Sequence, residues 1–114
     1  MDHVVYLDYK AKELENLVGG QKTMIIRGAM GRKLPHGRVS KEDVMYFIEN
    51  KGDGLVKAKA LVGEVYHSDK LSKEESTAIV EQHQPKLQLN KGLLKRFSGK
   101  RYLVLITVKD FTEL

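Results

Sequence analysis

A chain of 114 residues that is 41% hydrophobic and 31% charged reads as one domain over 1–114, with an ordinary globular composition that excludes a disordered or fibrous chain. It has no cysteine, hence no disulfide framework, thiolate nucleophile or zinc–thiolate site, and a reducing cytoplasm is the expected compartment. Its formal charge is +5, with no apolar run near the ~18 residues that span a bilayer and no secretory-signal pattern, so an anionic partner is expected and a membrane is not.

The predicted elements follow in chain order. Val4-Val5-Tyr6-Leu7 is β-prone, and Asp8 stands where an N-cap accepts the first unpaired amides of a helix. Leu7, Ala11, Leu14 and Val18 recur at helical spacing, which predicts one apolar stripe on a helix stopped by Gly19-Gly20. Thr23-Met24-Ile25-Ile26 is the next strand and ends at Arg27-Gly28. Residues 29–40 are punctuated by glycine, carry Pro35 and read as an ordered basic loop. Asp43 to Glu49 is a strand rich in aromatic and β-branched residues, and Asn50-Lys51-Gly52-Asp53-Gly54 has the chemistry of a hairpin turn.

In the return strand Val56, Ala58, Ala60 and Val62 face one way, Lys57 and Lys59 the other, and Gly63 marks an expected bulge. Ser72 and Glu75 have the capping-box form, opening a helix to His83 that Pro85 ends. Asn90 caps a short helix through Phe97, and Ser98-Gly99 turns the chain into Tyr102–Val108. That run is apolar on both faces, hence a buried central strand. Strands outnumber helices, so the expected class is α+β: a small curved or closed sheet with helices at its flanks.

Charge is unevenly spread. No acid occurs from Asn16 to Lys41 or from Gln82 to Lys109, and these two stretches hold 13 of the 20 lysines and arginines. Brought together, they would make one positive face for phosphate; kept apart, they are solvated lysines of no particular use. Lys95, Arg96, Lys100 or Arg101 is expected to extend the positive field around Lys22 and Arg32–Arg38.

The order of elements, with Gly20-Gln21-Lys22 entering a strand, a basic loop after it, a Gly/Asp hairpin and a last strand entered through Gly99-Lys100-Arg101-Tyr102, resembles the PUA-like superfamily and, within it, the ASCH-type domains. The family signature Gly-x-Lys-x-x-Glu-x-Arg is matched at Gly20, Lys22 and Arg27, with Ile25 in place of the glutamate. The resemblance implies a small β-pseudobarrel with flanking helices and a cleft between them lined by Lys22, Arg27 and the following loop. It also implies an RNA or nucleotide ligand. Some ASCH proteins hydrolyse acylated cytidine with a Lys, a Thr three residues later and a distant Glu. Lys22 matches the first; Ile25 and Gln82 stand at the other two positions, with Glu81 adjacent.

The richest segment for a ligand is Arg27 to Arg38. Its glycines, Gly28 first, admit close backbone approach, and Arg27, Arg32, Lys33 and Arg38 supply cationic groups for phosphate. His36 is a further donor. No Walker loop is present. Tyr46 and Phe47 are adjacent on one strand, so Phe47 goes to the core and Tyr46 is placed to stack on a base. The scattered histidines predict no metal site, and no cofactor is expected. The expected function is RNA or nucleotide binding by a monomer through a basic cleft. The alternative is an ASCH-type nucleoside amidohydrolase acting on acylated cytidine through Lys22.

Overall fold

The computed structural model describes residues 1–30 and 39–114. Arg32, Lys33, His36 and Arg38, all candidate ligand contacts, lie outside the described residues. The elements are β1 (Asp2–Leu7), α1 (Glu13–Val18), β2 (Met24–Ala29), β3 (Val44–Glu49), β4 (Val56–His67), α2 (Lys73–Leu87), α3 (Lys91–Phe97) and β5 (Tyr102–Glu113).

The strands form one sheet in the order β1-β3-β4-β5-β2, in which β1 runs parallel to β3 and every other pair is antiparallel. β4 and β5, 12 residues each, curl the sheet on itself. Their register shifts between Val62 and Val65, at Gly63, where a Cβ would meet the Thr107 carbonyl oxygen at 3.3 Å. A bulge of this kind bends a strand and raises its twist. The result is a half-barrel whose two edge strands, β1 and β2, face each other across an open seam.

Alternation along the strands divides the apolar residues between two cores. Val5, Leu7, Ile25, Met45, Phe47, Ala58, Ala60, Val62, Val104 and Ile106 fill the barrel, joined by Leu17 of α1 and by Val39. Met24, Ile26, Leu103 and Leu105 point the other way, against Val80, Leu87, Leu89, Leu93 and Phe97 of α2, α3 and their connection. From Leu103 to Ile106 β5 is apolar without a break because each of its faces packs on a different core.

Two helix boundaries depart from the sequence expectation. α1 starts at Glu13, with Lys12 left-handed at φ 57, so Asp8 heads a turn, accepting from Ala11 N at 2.9 Å, instead of capping the helix. The buried apolar position of α1 is Leu17, and Val18 is exposed. α2 runs through Pro85 to Leu87. The proline lies in the last turn, where few backbone bonds follow. Beyond it the chain is held by fully buried Leu87 and by the Gln84 side chain, which bonds both the amide and carbonyl of Leu89. The capping box at Ser72 and Glu75 and the Asn90 cap of α3 form as expected.

Candidate functional site

Gly20 has φ +80, a conformation that favours glycine, and this turn sends Lys22 inward at the entry to β2. The Lys22 side chain is fully buried. Its Nζ donates to the Leu87 carbonyl and lies 3.4 Å from Glu13 Oε2. Burial pushes the Lys22 pKa down, while the Glu13 carboxylate opposes the shift. The other oxygen of Glu13 accepts from Asp8 N at 2.8 Å. A buried cation is tolerated only when paired and hydrogen-bonded, and Lys22 has both partners.

Five residues on, Arg27 is held across the seam. Its Nη2 donates to the Tyr6 carbonyl of β1 at 2.8 Å and its Nη1 to the Ile26 carbonyl at 2.6 Å. One guanidinium thus joins the two edge strands that no backbone ladder joins. Burial lowers its pKa, Glu13 raises it and Arg96 lowers it further. Glu13 therefore serves both cations of the signature. It comes from α1, while Ile25 of β2 points into the barrel.

Beside this group lies a cleft of about 360 Å³ lined by Tyr6, Asp8, Glu13, Arg27, Gly28, Asn50, Leu93, Arg96 and Phe97. It opens between the β1–β2 edge and helices α1 and α3. A recess of about 270 Å³ continues it along α3 past Lys10, Asn90 and Gly92. Arg96 is exposed, its guanidinium 6.0 Å from the centre of the Phe97 ring, and has no acidic partner among the described residues. A Cβ at Gly28 would press on Lys100 Cγ at 3.1 Å and Leu103 Cδ2 at 3.2 Å. Glycine there lets the Lys100 stem and Leu103 pack closely on β2.

Of the sequence candidates, Arg27 and Gly28 line this cleft, and Arg96 of the second acid-free stretch joins them there. Lys22 stands behind Glu13, its ammonium held by protein partners. Tyr46 is elsewhere, on the outer face of β3, in a recess with Lys59 and Thr112. Glu81 and Gln82 are exposed on α2. Sequence reasoning missed Glu13, Asn50 and Phe97. A signal for Glu13 existed: it is one of the last acids before the acid-free stretch, and buried cations need a nearby anion. Among the described residues no three His, Asp or Glu converge in a way that could hold a metal ion, and no helix is long and apolar enough to cross a membrane.

No protein-family model matches the chain, and no curated protein matches it. Solved structures do. A mutant of ASCH from Zymomonas mobilis superposes with TM-score 0.69 at 14% identity, over 96% of this chain and 70% of that one. ASCH from Zymomonas mobilis itself gives 0.67 at 12% identity, over 96% and 68%. Hypothetical protein PH0355 gives 0.58 at 13% identity over the whole of both chains. The chain has the ASCH, PUA-like fold.

Proposed function

We propose, from an ASCH-type fold whose cleft gathers two guanidinium groups from distant parts of the chain, that this protein binds RNA or a nucleotide there. The observation that carries the reading is that Arg27 of β2 and Arg96 of α3 line the same cleft, with the Phe97 ring beside Arg96. Arginine offers a planar fork for phosphate and stacks on bases, and the exposed Arg96 guanidinium has no acidic partner among the described residues. The titration of labelled single-stranded RNA at several salt concentrations tests it. Affinity should fall with a log–log slope of about −0.7 per phosphate contact. Undetectable or salt-independent binding overturns the reading.

The amidohydrolase alternative needs a reactive lysine that meets the ligand. Burial lowers the Lys22 pKa in the sense such chemistry requires. Its head, however, is held by Leu87 and Glu13, Ile25 has no hydroxyl, and Gln82 has no carboxylate. These features favour binding over hydrolysis. Turnover of acylated cytidines, followed chromatographically and abolished by Lys22→Ala in a folded variant, would reverse the preference.

A further inference from the structure

The outer face of the sheet carries a second set of residues suited to nucleic acid. Val5, Leu7, Met45 and Phe47 are buried inside the barrel, so Val4, Tyr6, Val44, Tyr46 and Ile48 project outward. The register pairs Val4 with Tyr46, Tyr46 with Lys59, and Lys59 with Thr112, which sets one row across four strands on that face. Tyr6, paired with Ile48, lies in the next row. Strand spacing of ~4.8 Å and a rise of ~3.3 Å per residue put Tyr6 and Tyr46 about 8 Å apart on one surface. Tyr6 is 62% exposed and Val4 57%.

Beside Tyr46 a recess of about 340 Å³ is lined by Val44, Lys59, Ala60, Leu61, Asp110 and Thr112. Lys57 is paired with Asp53 at 3.0 Å, whereas Lys59 is exposed with no ion-pair partner among the described residues. Tyr6 belongs to both surfaces, since it also lines the cleft with Arg27 and Arg96.

We propose that Tyr6 and Tyr46 form a stacking platform for bases of a single-stranded RNA that continues from the cleft onto the outer face of β1 and β3. The proposal rests on the cleft-binding reading and adds to it that the partner is a polymer, not a free nucleotide. Aromatic rings stack on bases of any sequence, and an adjacent lysine meets the backbone. Asp110, on the recess wall, accepts from a base or ribose donor. Continuity with the cleft and the exposed Lys59, which has no ion-pair partner among the described residues, select nucleic acid as the occupant over a second copy of the chain.

The test compares a labelled dinucleotide with a labelled oligouridine of about ten residues, long enough to leave the cleft. Tyr46→Ala and Tyr6→Ala should each weaken the longer strand roughly ten-fold, the usual loss for one stacked base, and leave the dinucleotide nearly unchanged for Tyr46→Ala. Tyr46→Phe should restore binding, because the ring and not the hydroxyl stacks. Tyr6 is exposed enough that its truncation spares the core, and circular dichroism checks each variant. Wild-type binding of the longer strand by folded Tyr46→Ala and Tyr6→Ala overturns the platform and leaves the cleft reading standing. Loss on Tyr46→Ala with no effect of Arg96→Ala keeps the platform and overturns the cleft. Absence of any binding by the wild type overturns both. A wild-type dimer in sedimentation that Tyr46→Ala converts to monomer assigns this face to a second copy and also overturns the platform.

Discussion

Lys22 is buried behind Glu13 and Arg96 lines the cleft, and their fates are opposite. Lys22 is enclosed, its ammonium on Leu87 and Glu13; Arg96 is exposed and without an acidic partner among the described residues. Both come from acid-free basic stretches and look alike as charges in a sequence. The difference teaches that a cation's availability to a ligand depends on where its stem emerges and on what anion the fold brings to it. Arg27 stands between them, tied to Tyr6 on one side and facing the cleft on the other.

Removing the enclosed cation should have the largest effect. Lys22→Met leaves the Glu13 carboxylate buried without its partner, and loss of about 3–5 kcal/mol is expected in chemical denaturation. Adding Glu13→Gln should recover part of that loss. If Lys22→Met is as stable as the wild type, the pair is not the anchor described. Arg27→Ala is next: it opens the seam between β1 and β2 and should cost about 1.5–3 kcal/mol, the range for hydrogen bonds to a charged group. It should also weaken RNA binding, which separates it from Lys22.

Arg96→Ala should change stability by less than about 0.5 kcal/mol, as an exposed substitution does. Its effect belongs to the ligand: the salt slope of RNA binding should shrink by about 0.7. A large loss of stability with unchanged binding would erase the contrast with Lys22. The smallest effect concerns pH. The Asp43 carboxyl accepts from His3 Nε2 at 2.8 Å and from Ser40 N at 2.9 Å, with the Met1 amine at 3.2 Å, and is held down to about 2. A depressed carboxyl stabilises above its unfolded pKa of about 3.9, and the contribution fades as pH falls toward the folded value. Melting temperatures should therefore drop more steeply between those pH values for the wild type than for Asp43→Asn.

Local chemistry made much of the fold legible. Period-two alternation located β3 and β4, the Ser72–Glu75 box and Asn90 opened their helices, and Gly63 marked the bulge, because each depends on neighbours within a few residues. The helix boundaries at Asp8 and Pro85 were less legible. There, distant burial of Leu17 and Leu87 outweighed the nearby punctuation.

The candidate site divides in the same way. Gly20, Lys22 and Arg27 were visible as a spaced signature, and that spacing is enough to place a lysine and an arginine at the entry and middle of one strand. Which carboxylate would meet them was not, since Glu13 arrives from another element. Arg96 was one of four residues expected to extend the positive field, but it was not legible that α3 would set Phe97 beside it in the cleft, or that Tyr46 would face away. Sequence by itself determined the elements, their faces and the stock of cations, because these follow from periodicity and side-chain type. Only the tertiary structure decided which cations are enclosed and which remain open. Burial and partner geometry are set by contacts between residues far apart in the chain.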